Sequence, residues 1–211
     1  MKLSQQALYL VFFLSLLSCQ SQESSEQQAA PAAVPPADTA SAPATATPDS
    51  TYLILPGESI GKVKLGMPGS ELTSILGKPD STDAAMGKAL LYWLNGQHYL
   101  VIYTVADFGG QDERPKVQQV QVNSPQFQTP DGIGTGKALP EIRQKYGRLK
   151  PLAHYQDEQQ QQVYIFDAQQ QGIAFEVTLP DSLCTAITIH PKGQNVTDTY
   201  LPLHPDMTRL E

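Results

Sequence analysis

In the run "GIGTGKALPEI", residues 132–142, three glycines alternate and a lysine follows the third, ahead of a segment with helical character. Glycine-rich turns that open a helix can cradle phosphate, because backbone N–H groups point at it and the helix end is positive. The spacing argues otherwise. A loop of the form Gly-x-x-x-x-Gly-Lys-Ser/Thr ending at Gly136-Lys137 needs glycine where Asp131 stands and a hydroxyl where Ala138 stands. The dinucleotide pattern needs glycine at Lys137. The glycines are therefore assigned to chain geometry, with Ile133 turned inward and a tight turn into the helix. No nucleotide is expected.

Other reactive types are sparse. His98, His154, His190 and His204 have no helical metal spacing, and no His-Glu-x-x-His occurs, so neither a metal nor any other cofactor is expected. His190, at a strand end before Pro191, is expected on a solvated rim. A nucleophile elbow of the form Gly-x-Ser-x-Gly is expected to be absent. Asp112-Glu113 and Asp157-Glu158 lie in polar loops and are the carboxylates a hydrolase would use. Asp107, Asp112 and Glu113 flank Gly109-Gly110 with oxygens of the kind Ca²⁺ takes, but without EF-hand order.

Binding is the chemistry left. Tyr92, Trp93, Tyr99 and Tyr103 fall in one expected hairpin and Tyr164 in the matching place of a second. Trp and Tyr are favoured anchors at protein interfaces. Alternation puts Tyr99, Val101 and Tyr103 on one face and His98, Leu100 and Ile102 on the other, and one of these faces must be core. These five aromatic residues are the candidate partner surface.

The elements that would carry them begin late in the chain. Of 211 residues, 17% are charged, and the formal charge is -7. That size suits one ordinary domain or two small ones, and the sign excludes a binder that displaces counterions from nucleic acid. Lys2 and the largely apolar residues 7–17 have the form of a signal peptide, with an h-region too short to remain as a membrane span. "LLSC", ending at Cys19, resembles the lipobox of bacterial lipoproteins. That resemblance implies cleavage after residue 18, acylation of Cys19 and membrane anchoring, with outer-membrane delivery permitted by Gln20. Residues 19–50 then form a Pro/Ala/Ser/Thr-rich tether in which Val34 is the one aliphatic side chain larger than alanine, too little apolar surface to offset ordering. Cys184, in a β-branched run, is expected as a small buried side chain rather than a reactive thiol.

From residue 51 onward the pattern repeats. Shifting residues 66–78 by 70 places Gly66, Glu71 and Gly77 on Gly136, Glu141 and Gly147. Leu72, Ile75 and Leu76 form one helical stripe, as do Leu139, Ile142 and Tyr146. Each short helix precedes strand-like runs: "ALLYWLNGQHYLVIYTVAD" around Asn95-Gly96 and "KVQQVQV" in the first copy, then "QVYIFD", "IAFEVTL" and "CTAITIH" in the second. The expected class is α+β, two tandem units of a helix plus a three-stranded antiparallel meander with helices on one sheet face. The expected units are 51–127 and 128–191, with a C-terminal tail at 192–211. "LGMPGSELTSILGKPD", residues 65–80, resembles the small outer-membrane lipoproteins of the barrel-assembly accessory type, and its tandem copy resembles the β-lactamase-inhibitor-protein fold. Proteins of that group are mostly non-catalytic binders of other proteins. The resemblance implies a lipid-anchored, non-enzymatic binding or assembly module of the bacterial envelope, with another envelope protein as partner. The alternative is an envelope hydrolase acting on cell-wall or glycan substrate through the loop carboxylates.

Overall fold

The computed structural model describes residues 49–110, 112–199 and 203–210. The expected signal peptide, Cys19 and all but the last two tether residues lie outside them. The described chain opens with three two-residue strands, β1 (Ile54–Leu55), β2 (Ser59–Ile60) and β3 (Val63–Lys64), paired antiparallel in that order. Helix α1 (Leu72–Leu76) leads into β4 (Ser81–Ala85), β5 (Lys88–Asn95), β6 (His98–Val105) and β7 (Lys116–Val122). Helix α2 (Leu139–Tyr146) leads into β8 (Pro151–Gln156), β9 (Gln162–Ala168), β10 (Ile173–Leu179) and β11 (Leu183–Ile189), and β12 (Thr208–Arg209) follows near the end. Strands β4 to β12 form one antiparallel sheet of nine, in the order β12-β8-β9-β10-β11-β7-β6-β5-β4.

This corrects the α+β expectation: the protein is mostly β. Each helix is followed by four strands rather than three, because β4 and β8 precede the runs that alternation reveals. The two meanders share a single sheet. Val120 and Val122 of β7 pair with Ile189 and Ile187 of β11, which fuses them into one. The helices are only five and eight residues long. Gly77 and Gly147, both at φ 81°, stop them in a conformation that side chains with a Cβ adopt reluctantly. Helices this short have no stability of their own and depend on the sheet.

One sheet face holds the main core. Val120, Val122, Phe175 and Ile187 meet Leu72 from α1 and Leu139 and Ile142 from α2 in a single apolar cluster. The Tyr146 ring lies 4.9 Å from that of Phe175. Burial of each such side chain stabilises by about 1.5–3 kcal/mol. The glycine loop fits here as a spacer. Ile133 enters the core, and a Cβ on Gly134 would stand 2.7 Å from the Phe127 carbonyl oxygen, so only glycine lets the two backbones approach. Glu141 closes the first turn of α2 by accepting the Ala138 N–H at 3.2 Å and pairing with Lys137 at 3.2 Å.

Candidate functional site on the face opposite the helices

Alternation sends neighbouring aromatic residues to opposite sides of the sheet. Trp93 and Tyr164 pack at the margin of the helix-side core. Trp93 donates its indole N–H to the Gly77 carbonyl at 3.2 Å, and Tyr164 lies beside the His154 ring. Trp93 also edges a groove of about 330 Å³ with Leu94, Leu100 and Phe127. Tyr92, Tyr99 and Tyr103 project from the other face, clustered with Leu90, Val101 and Leu203. The five candidate residues therefore divide between two surfaces, and only three share one.

The opposite face has a polar floor. Gln119, Gln121, Glu176 and Thr188 come from β7, β10 and β11, and all are buried. What covers them is the 196–199 stretch, whose Val196 carbonyl accepts the Gln119 amide at 2.8 Å, together with the C-terminal segment, 203–210. Leu203 packs with the Tyr92–Tyr99–Tyr103 group, and Met207 packs with Ala153, Ile165, Ala174 and Val196. Between them the His204 ring stacks on Tyr155, with centroids 3.7 Å apart and planes at 12°.

Glu176, 4% exposed, is the centre of this arrangement. Its Oε1 accepts the Gln121 amide at 2.7 Å and meets His204 Nε2 at 2.9 Å, while Oε2 accepts the Tyr155 hydroxyl at 2.7 Å. Gln121 also donates to Thr188 Oγ1 at 3.0 Å. Burial pushes the Glu176 carboxyl up, but the charge and hydrogen bond of His204, with the Tyr155 and Gln121 donors, outweigh it and hold the group below its ordinary value. Burial, followed by the negative Glu176, pushes both the Tyr155 and Tyr99 phenols up. The face thus presents one buried carboxylate ringed by donors.

Two clefts flank the covered centre. One, of about 820 Å³, includes Lys88, Tyr103, Asp112, Arg114, Gln119 and Thr199 in its lining. The other, of about 780 Å³, includes Tyr99, Asn123, Tyr155, Asp157, Glu158 and His204. Of the loop carboxylate pairs, Asp112 lines the first cleft and Asp157 and Glu158 the second. Asp112 holds Arg114 at 2.8 Å and Lys116 at 3.1 Å, and those bonds keep its carboxyl well below the usual range. Glu113 accepts the Gly109 N–H, and Asp157 accepts the Gln161 N–H. Among the described residues no three His, Cys, Asp or Glu side chains gather as a metal-ligand set.

Two sequence expectations need correction. His190 is not on a solvated rim but fully buried, with Nε2 3.0 Å from Asp167 and Nδ1 3.1 Å from the Pro191 carbonyl. The second Asp167 oxygen accepts the Val196 N–H, so the pair pins the 191–196 loop to the sheet. The spelling Gly-x-Ser-x-Gly does occur, at Gly57-Glu58-Ser59-Ile60-Gly61. Its context is wrong for a nucleophile elbow, because Ser59 is buried in the middle strand of the small sheet, between Leu55 and Lys64, and not on an exposed strand-to-helix turn. The glycines have a packing role instead: a Cβ on Gly61 would fall 2.4 Å from the Thr51 carbonyl oxygen. Glu176 was not among the expected site residues. Its signal was a single charge in the centre of the apolar run "IAFEVTL".

No protein-family model matches the sequence, and no curated protein matches it. Solved structures show distant similarity. A cysteine-rich secretory protein from Staphylococcus aureus superposes with a TM-score of 0.43 at 15% identity, over 78% of this chain and 55% of that one. The chain thus spans about half the length of that neighbour. A DUF4309 family protein from Bacillus subtilis superposes with a TM-score of 0.37 at 11% identity, over 64% of this chain and 88% of that one.

Proposed function

We propose that the chain is a lipid-anchored, non-enzymatic binding or assembly module of the bacterial cell envelope, with the sheet face opposite the helices as its ligand surface. The observation that carries this reading is that face itself, where half-buried Tyr92 and Tyr99 cluster with Leu203 beside the polar floor and Tyr99 lines an open cleft. Amphipathic rings around polar groups suit a partner recognised by contact and hydrogen bonds together. The lipobox ending at Cys19 supplies the anchor. Labelling cells with an alkynyl fatty acid should mark the native chain and spare Cys19→Ala; equal labelling removes the anchor. Tyr92→Ala with Tyr99→Ala should abolish retention of an envelope protein while the fold persists. Unchanged retention counts against this face.

A cell-wall or glycan hydrolase is the second reading, motivated by Asp107, Asp112 and Asp198 lining one cleft. The Arg114 and Lys116 pairing keeps Asp112 ionised, which unsuits it as a general acid. Release of soluble fragments from purified cell wall by the native chain, and its loss in Asp112→Asn, would favour the hydrolase.

A further inference from the structure

The C-terminal segment occupies a site it is poorly equipped to keep. None of its described residues, 203–210, is buried, whereas the floor beneath is. Its strand β12 contributes two pairs, Thr208 with His154 and Arg209 with Ala153, along an edge strand of six residues. Further ties are the Leu210 N–H to Leu152, the Arg209 guanidinium to the Thr197 carbonyl at 2.7 Å, and a 3.5 Å contact to Asp198. Segments with few buried contacts open locally at low cost. Opening also returns Glu176 to water, so no unpaired charge is left buried.

The second cleft is lined by His204 and Asp206 of this segment, whereas the first is bordered by the 194–199 loop, whose Val196 carbonyl accepts the Gln119 amide. Gln119 and Thr199 belong to the first cleft, Tyr155 and His204 to the second, and a small cavity between them is lined by Gln119, Glu176, Thr199 and His204. Displacing 203–210 joins the second cleft to that small cavity as a trough that runs from Gln119 to Asp157. At its centre stands a carboxylate that already accepts bonds from the Tyr155 hydroxyl and the Gln121 amide and has lost its imidazole partner. At its far end are Asp157 and Glu158, and the free edge of β8 runs beside it.

We propose that 203–210 is a displaceable occupant of a peptide-binding trough, and that the ligand is an extended segment whose basic side chain replaces His204 on Glu176. The backbone of that segment takes the place of β12 on the edge of β8, so main-chain bonds supply affinity and the charge supplies selectivity. The internal segment competes at the high effective concentration of a tethered ligand, so affinity for an added peptide rises when the tether is loosened. This inference rests on the opposite face being the ligand surface.

The test uses the full chain in detergent, carrying His154→Cys and Thr208→Cys. These positions are directly paired across β8 and β12, at a separation a disulfide can bridge. The probe is a fluorescent peptide of residues 203–211 carrying His204→Lys, with a second peptide carrying His204→Glu as its contrast. Reduced protein should bind the lysine peptide at least tenfold more tightly than oxidised protein and at least tenfold more tightly than it binds the glutamate peptide. Adding Glu176→Gln to the reduced protein should weaken the lysine peptide about tenfold, although it also loosens the occupant. Equal binding by oxidised and reduced protein, equal binding of the two peptides, or no binding in either state overturns the proposal. An envelope partner retained through Tyr92 and Tyr99 equally in both redox states would overturn displacement while leaving the ligand-surface reading intact.

Discussion

Removing the Glu176 carboxylate should disturb the whole face, and the size of the effect follows from its partners. In Glu176→Ala the Gln121 amide keeps Thr188 Oγ1 as an acceptor, and His204, on the half-exposed C-terminal segment, can turn to water. Tyr155 loses the acceptor of its hydroxyl. A half-buried hydroxyl left without its acceptor costs about 1 kcal/mol, and the lost charge-assisted bond to His204 about 1.5–3 kcal/mol. Recovered desolvation of the carboxylate offsets part of this, leaving about 2–4 kcal/mol against a typical domain stability of about 5–15 kcal/mol. Glu176→Gln keeps one acceptor oxygen and lets the Tyr155 hydroxyl reverse, so it should cost about 1–2 kcal/mol. His204→Ala combined with Glu176→Ala should cost at least about 1 kcal/mol less than the two changes summed, since both remove one contact. Urea unfolding followed by fluorescence of Trp93, the single tryptophan, measures all of these. A loss below about 0.5 kcal/mol for Glu176→Ala, or additivity in the pair, refutes the network as a source of stability.

Three further outcomes follow. Gly134→Ala should lower stability by about 1–3 kcal/mol through its clash with the Phe127 carbonyl, while Thr135→Ala beside it stays near neutral, read as urea midpoints. Cys184 is buried and its thiol is pushed up by that burial, so in a Cys19→Ala background iodoacetamide should label it only once urea unfolds the chain; rapid labelling of folded protein contradicts the burial. Glu176 titrates below its ordinary value of 4.5 when folded. Its stability is therefore complete above that pH and lost as pH falls through the lower folded value. The urea midpoint of the native chain should drop more steeply than that of Glu176→Gln between about pH 5 and 3, and parallel curves would contradict the sign.

Much of the sheet is readable from alternation. Val120 and Val122 inward with Gln119 and Gln121 outward is a period-two pattern, and β7 spans that run. Gly77 and Gly147 end their helices because a left-handed residue is needed there. Strand β4, "STDAA", carries no such signal: it is an edge strand, four of its five residues are exposed, and its order comes from pairing with β5. Strand β8 begins at a proline and ends in polar residues, so it reads as loop until β9 is laid beside it. The division of Tyr92 from Trp93 was implicit in their adjacency, but which face lay open depended on where both helices dock. The C-terminal cover was not legible at all. "LHPDMTRL" has neither helical nor strand period, and its three inward contacts, Leu203, His204 and Met207, are set by the floor they meet.

The claim at the centre of this account is that the face opposite the helices receives the ligand. A photo-crosslinking residue placed singly at Tyr99, beside the second cleft, and at Tyr164, on the helix side, compares the two faces in cells. The account predicts a discrete adduct with one envelope protein from position 99, suppressed by Tyr92→Ala, and none from position 164. An adduct from position 164 alone would contradict it.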